Sequence, residues 1–501
     1  MRPILALIPI LALTACLEQD AIEALPDTDP DGIVDIDIDP DVDPDPDVDP
    51  IPDRVSADFQ WDPIFGVIDL DGKLNGTQIT LTDASSMGWI TRTAGSSSGM
   101  GYGRKSGRMS LGAGTGGIAP MSAPPRMEIA HTEAADDMFG GELEGVVHQV
   151  PPGDAPLKAA ITDDNADYEP FLAFLDTWKD RPGVAGNAET IDVRDRRWLK
   201  VIDDAGNPVP GAKVTVLDRT KDELIWSGTT YGDGRAPFYP HLADAQGGGD
   251  NLLVQAHLGG ETAAMPWDGS SDEIAVTLSE TERGQTVKLD VVFLIDTTGS
   301  MSDEIARIKS TLLSVTDQVN GLGTEIDLQY GAVLYRDIGD EYLTRHTPLT
   351  KDIEAFDQII QGISAGGGGD GPESLNQGLS VSVSEMDWRQ GAAKMVFLVA
   401  DAPPHMDYQD DATYGRAALT AMVHGIRIHT VAASGLDDFG SLVFRQSAQL
   451  SRGQFIFIEY GSTAASAADH GVTGNVTSNN LDAILFRQIR DEVEGWGRPT
   501  S

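Results

Sequence analysis

Apolar and polar positions change their rhythm near residue 287. Downstream of it, near-continuous apolar runs alternate with stretches of helical period. VVFLI (291–295), IDLQYGAVLY (326–335), KMVFLVAD (394–401), IRIHTVAAS (426–434) and QFIFIEY (454–460) read as strands buried on both faces. Between the first two, Met301, Ile305, Ile308, Leu312, Val315 and Val319 step by four and three, which is one face of a helix. Further helices are predicted over 353–363, over 413–425 ending at Gly425, over 437–450 and over 481–496. Strands separated by helices imply a doubly wound, mostly parallel, Rossmann-like α/β sheet over 287–497.

Residues 191–282 keep another rhythm. Short alternating strands, with Val214 and Val216 on one face, are separated by Gly-Asn-Pro and Gly-Asp-Gly turn signals. That pattern predicts an all-β sandwich. Residues 161–190 read as a helical connector, with Tyr168, Phe171, Leu172, Phe174, Leu175 and Trp178 on one side. Residues 56–160 are low in complexity and only partly β, with strand-like FGVIDL and TQITLTD and a Gly/Ser/Pro-rich linker over 96–126. GAGTGG in that linker lacks the preceding strand and following helix of a phosphate loop.

The N-terminus carries Arg2, an apolar run from Pro3 to Leu13, and then small residues, as a secretory signal does. Cys16 is the one cysteine of 501 residues, so no internal disulfide is possible. Leu13-Thr14-Ala15-Cys16 resembles the bacterial lipobox, which implies a signal over 1–15 and acylation of Cys16. By resemblance to enterobacterial sorting, Leu17 after the cysteine points to the outer membrane of a Gram-negative envelope. Residues 16–55 repeat Asp-Pro and Asp-Val with almost no basic partner. They read as a disordered, stretched tether, long enough at ~3.1 Å per residue to reach on the order of 100 Å. Asp27-Thr28-Asp29-Pro30-Asp31-Gly32 opens like a calcium loop, but Ile38 stands where the closing glutamate belongs, so it reads as linker.

A formal charge of −44 excludes nucleic acid as a partner, because phosphate binding needs clustered Lys and Arg. It suits divalent cations. Two strands of the α/β region end in aspartate, Asp296 and Asp401. Ligands of such sheets gather at the carboxyl ends of the strands. Thr298 and Ser300 follow at spacings of two, and one carboxylate with two hydroxyls is an oxygen-only set for Mg²⁺, Mn²⁺ or Ca²⁺.

At this point residues 287–497 resemble a von Willebrand factor A-type domain. Asp296-Thr297-Thr298-Gly299-Ser300 is similar to the family's Asp-x-Ser/Thr-x-Ser signature, and Asp401 stands where the family has its later aspartate. The resemblance implies a divalent cation, Mg²⁺ before Mn²⁺ or Ca²⁺, held by Asp296, Thr298, Ser300 and Asp401. It also implies a protein or extracellular-matrix ligand whose acidic residue fills an open metal position. The family usually takes a threonine from a further loop. Here that loop is Gly366–Ser374, without threonine, and Asp370 is the candidate in its place. GNPVPGAKVTV with Gly-Asp-Gly-Arg likewise resembles a carboxypeptidase regulatory-like (transthyretin-like) module.

Other readings stand beside these. Ser300-Met301-Ser302-Asp303 is also a helix start that Ser300 would cap, and Asp370 would cap the helix opened by Pro372 and Glu373. A metal-independent scaffold is the alternative function. A hydrolase using Ser300 and His405 lacks a nucleophile elbow, and no enzymatic activity is expected. Tyr335-Arg336-Asp337 and Asp340-Glu341-Tyr342 read as solvated or ion-paired loop residues.

Overall fold

The computed structural model describes residues 77–81, 90–94, 156–178, 191–221, 223–243, 251–279, 286–322, 326–369, 371–408 and 412–497, the first two segments as backbone strands. The signal, Cys16, the tether, FGVIDL, the 96–126 linker and Asp370 lie outside the described residues.

Two short strands, β1 (Thr77–Leu81) and β2 (Ile90–Ala94), precede β3 (Lys158–Thr162) and helix α1 (Tyr168–Asp176). Seven strands follow: β4 (Arg197–Asp203), β5 (Lys213–Asp218), β6 (Glu223–Thr229), β7 (Arg235–Phe238), β8 (Leu252–Leu258), β9 (Glu261–Trp267) and β10 (Glu273–Leu278). The α/β part begins with β11 (Val287–Asp296), α2 (Ile305–Asn320), β12 (Ile326–Tyr335), β13 (Thr344–Thr350), α3 (Ile353–Gly362) and α4 (Leu375–Ser384). It continues through β14 (Ala393–Ala400), α5 (Tyr414–His424), β15 (Ile426–Ala432), α6 (Asp438–Leu450), β16 (Phe455–Ile458), α7 (Thr463–Asp469), β17 (Thr477–Asn480) and α8 (Leu481–Trp496).

One ten-stranded sheet runs β1-β2-β13-β12-β11-β14-β15-β16-β3-β17. Its centre, from β12 through β16, is parallel, and the flanking strands are antiparallel. Along β11, Leu289, Val291, Phe293 and Ile295 face the layer of α2, α3 and α8, while Val292 and Leu294 face α4, α5 and α6. Both faces are therefore covered, which is why β11 is continuously apolar from Val291 to Ile295. Asp290 is the buried exception, and Arg389 answers it with hydrogen bonds to both carboxylate oxygens. Helix α5 ends on Gly425 in the left-handed region (φ 65°), as the sequence predicts.

The sheet extends beyond 287–497. β3 inserts between β16 and β17, so residue 161 belongs to a strand and not to the helical connector. Ala159, Ala160 and Ile161 are small or apolar enough to be buried there. Just beyond the strand, Asp164 accepts both forks of the buried Arg445, at 2.8 and 2.7 Å. α1 then lays Phe171 into a core shared with the β region.

Residues 191–279 form two sheets, β10-β4-β7 and β6-β5-β8-β9. Leu199, Val201, Val214, Val216, Trp226 and Val254 meet in one core. Ala418, Leu419 and Met422 of α5 enter the same core, so the β region is packed onto the α/β region. Asp233 takes both forks of Arg452, at 2.7 and 3.0 Å, and Thr229 donates to the Val423 carbonyl at 2.7 Å.

Candidate metal centre

Asp296 ends β11, and Asp401 follows β14, the parallel neighbour, so both stand at the same edge of the sheet. The Asp296 carboxylate is 0 % exposed. Its Oδ1 accepts the Thr298 N–H at 2.8 Å and the Thr298 hydroxyl at 2.7 Å. The Ser300 hydroxyl donates to Asp401 Oδ1 at 3.0 Å. Thr298 Oγ1 and Ser300 Oγ lie 3.2 Å apart. Each hydroxyl has one proton, and both protons point at carboxylates, so that contact brings lone pairs together. Oδ2 of Asp296 is buried and accepts no hydrogen bond of ordinary geometry, although the Tyr335 hydroxyl is close enough to act on the carboxylate. Burial pushes Asp296 up to about 7 against the Thr298 bonds, and the charge of Asp401 adds to the rise. Burial also raises Asp401.

The structure thus brings Asp296, Thr298, Ser300 and Asp401 together, with Ser300 the exposed member at the mouth. The glycine-rich loop closes one side. Gly366 N–H donates to the Thr297 carbonyl at 3.0 Å, and Gly299 N–H to the Gly367 carbonyl at 3.0 Å. Gly367 and Gly368 have φ of 80° and 71°. A Cβ on Gly367 would meet the Asp340 carboxylate, and one on Gly368 would stand 2.8 Å from Glu373 Oε1 and 3.2 Å from Thr298 Cβ, so neither position admits a side chain.

Glu373 is the residue that sequence reasoning missed. It is 2 % exposed and stands beside Thr298, in the loop that lacks the threonine. Its N–H donates to the Pro403 carbonyl and its carbonyl accepts from His405 N–H, both at 3.0 Å, which ties it to the segment after Asp401. Asp296, Asp401 and Glu373 all act on the buried Tyr335 hydroxyl, which burial already pushes far up. The signal was the Pro-Glu pair opening α4, read only as a helix start. Among the described residues no three His, Cys, Asp or Glu side chains converge as a metal cage, so the two hydroxyl oxygens are needed to complete a donor set.

The competing readings fare differently. Ser300 does not cap α2. It lies in a 3₁₀ turn over Gly299–Asp303 with no side-chain cap, and α2 begins after it at Ile305. His405 is not a solvated rim residue. It is buried, bonds Asp407 at 2.8 Å and stacks on Tyr408 at 4.0 Å, while the Ser300 proton goes to Asp401. Arg336, Asp337 and Tyr342 are buried rather than solvated, although Arg336 does pair with Glu341 at 3.4 Å. A cleft of about 570 Å³ lies elsewhere, at the amino ends of β15 and β16 against the β region. Its charged walls are already matched: Arg427 with Glu492 and Arg452 with Asp233.

A sequence profile for the von Willebrand factor A domain matches residues 290–423. Alpha-protein kinase vwkA of Dictyostelium discoideum is 26% identical over 223 residues, covering 39% of this chain and 35% of the kinase. A putative ariadne-like RING finger protein R811 of Acanthamoeba polyphaga mimivirus is 27% identical over 117 residues, covering 23% of this chain and 11% of that protein. The chain therefore spans about a third or less of these relatives. Slight structural likeness extends to BatB of Bacteroides thetaiotaomicron (TM-score 0.27, 13% identity, 36% of this chain and 96% of that one). It extends equally to the pilus adhesin SpaC of Lactobacillus rhamnosus GG (TM-score 0.29, 15% identity, 49% and 32%). The profile covers the strand that carries Asp296, the loop that carries Thr298 and Ser300, and the aspartate that faces them, and this part of the chain is a von Willebrand factor A domain.

Proposed function

We propose that this chain binds a protein or matrix ligand through a divalent cation at the carboxyl edge of its A-type sheet, while acylated Cys16 tethers it to a bacterial envelope, at the outer membrane in a Gram-negative host. The observation that carries the metal reading is Oδ2 of Asp296, buried with no hydrogen bond of ordinary geometry and only the Tyr335 hydroxyl near the carboxylate, beside two hydroxyl oxygens whose protons are directed elsewhere. A buried carboxylate oxygen this poorly satisfied is costly unless something positive meets it. Asp296, Thr298, Ser300 and Asp401 would hold the ion, with Glu373 beside them and Asp370 as a further candidate. This oxygen-only set fits Mg²⁺ first, then Mn²⁺ or Ca²⁺. A bound cation supplies a Lewis-acidic position for an acidic side chain of the partner. The family match and the exposed Ile338 and Tyr460, on loops at the same edge, support a protein as that partner. The role is binding, not catalysis. The two sheets of residues 191–279 serve, in this reading, as a carboxypeptidase regulatory-like sandwich that supports the A-type domain.

A metal-independent scaffold is the second reading. It is favoured by the upward shift of Asp296, which lets the carboxyl become neutral by taking a proton instead of an ion. Calorimetric titration of the EDTA-treated chain with Mg²⁺, Mn²⁺ and Ca²⁺ separates the two. The metal reading expects a single class of site that is lost in Thr298→Val and Ser300→Ala, and heat of dilution alone for every ion would refute it. Anchoring is tested by palmitate labelling in a bacterial host, which should disappear in Cys16→Ser.

A further inference from the structure

We infer that Arg336 is the positioning residue of this centre: it fixes the metal loop from behind and sets which divalent cation the loop prefers. The inference rests on the cation site proposed above. Arg336 directly follows β12 and is 7 % exposed. Its Nε donates to the Thr297 carbonyl and its Nη2 to the Ser364 carbonyl, both at 3.1 Å. Its Nη1 reaches Glu341 at 3.4 Å, and the guanidinium lies 4.5 Å over the Tyr342 ring. Its own carbonyl accepts the Ser374 N–H at 3.3 Å. One side chain and its backbone thus join the metal loop, the glycine-rich loop, the start of α4 and the 337–343 loop.

The link to the metal position runs through one peptide unit. The Thr297 carbonyl accepts from both Arg336 Nε and Gly366 N–H, which occupies both of its lone pairs. The peptide is planar, so fixing that oxygen fixes the N–H at the other end of the same unit. That N–H belongs to Thr298 and donates to Asp296 Oδ1. Arg336 therefore orients the Asp296 carboxylate and Thr298 without touching either side chain. From the other side Asp340 accepts the Gly368 N–H at 2.8 Å, so the 336–340 segment supports both loops. A planar fork holds two carbonyls in one fixed plane, whereas a lysine ammonium on a flexible stem bonds them as a point charge without fixing that plane.

The test is the ratio of Mg²⁺ to Ca²⁺ affinity in the full chain, wild type against Arg336→Lys. Mg²⁺ demands near-ideal octahedral geometry and Ca²⁺ tolerates irregular shells, so a loosened loop should lose Mg²⁺ about tenfold or more and Ca²⁺ about threefold or less. A general loss of stability would weaken both ions alike, so the ratio reports positioning. Equal losses, or unchanged affinities in a folded variant, would overturn the role. If Arg336→Lys does not fold, Glu341→Gln removes the carboxylate that holds Arg336 Nη1 at 3.4 Å and, among the described residues, has no contact with the metal loop of its own. It should move the ratio in the same direction by a smaller factor, and no movement overturns the role again. Binding of neither ion by the wild-type chain overturns the cation site itself, a result distinct from an unchanged ratio.

Discussion

The two ends of the large sheet treat buried charge in opposite ways. At the amino ends of β15 and β16 the acids are matched: the buried Glu492 by Arg427, the buried Asp164 by Arg445 and the half-buried Asp233 by Arg452. At the carboxyl ends Asp296 and Asp401 face hydroxyls and each other, and burial raises both. A matched pair avoids stranding a buried charge, although it adds little net stability of its own. Carboxylates this short of partners are what the proposed cation would complete.

The largest effect should come from breaking the matched end. Arg445 and Asp164 are 1 and 4 % exposed, and burial raises Asp164 in spite of the guanidinium. The pair is thus a weak source of net stability, yet removing one partner strands the other. Arg445→Ala should lower the unfolding free energy by about 3–5 kcal/mol in a urea titration. It should also loosen β3, because Asp164 lies two residues past that strand. The unmatched end should respond with the opposite sign. Asp296→Asn keeps an acceptor for the Thr298 bonds and removes a buried charge, so in EDTA at neutral pH it should leave the chain as stable as wild type or more so. A loss above about 1 kcal/mol would show that the carboxylate is satisfied without an ion.

Acid and base titrations sharpen the contrast. The folded-state value of Asp296 is raised to about 7, so the folded state holds a proton that the unfolded state has released. Metal-free stability should therefore fall as pH rises from the ordinary carboxylate range through about 7, and Asp296→Asn should flatten that slope. His429 is at the matched end, buried against Phe397, and burial lowers it from 6.5 to about 3. Here the unfolded state gains the proton first, so this contribution is complete above 6.5 and is lost as pH falls. By about pH 5 the loss should reach about 2 kcal/mol, and His429→Asn should remove it. The smallest effect is expected at the exposed Arg490–Asp491 pair, where Arg490→Ala should change stability by about 0–1 kcal/mol.

Much of this was legible in the chain, and the limits follow from geometry. Central strands such as IDLQYGAVLY and the α8 segment LDAILFRQIRDEVEGW announce themselves because burial on both faces, or on one helical face, leaves a periodic trace. β13, with a proline inside TRHTPLT, and β17, built from TSNN, leave no such trace because edge and antiparallel partners tolerate polar residues. The recruitment of β3 depends on a pairing with β16 almost three hundred residues away, which local pattern cannot report. At the site, Asp296, Thr298, Ser300 and Asp401 were readable because strand ends and spacing of two are local facts. Glu373 and Arg336 were not, since the fold turns one toward Thr298 and places the other under the Thr297 carbonyl.

The central claim is that the unmatched carboxyl edge is completed by a cation. The most direct measurement is thermal unfolding of the full chain after EDTA treatment, with and without added Mg²⁺, for wild type and Asp296→Ala. An ion at about a hundred times its dissociation constant adds about 2.7 kcal/mol, so wild type should shift upward by several degrees and Asp296→Ala should not move. An unchanged midpoint in wild type with Mg²⁺, Mn²⁺ and Ca²⁺ alike, or an equal shift in Asp296→Ala, would contradict the account.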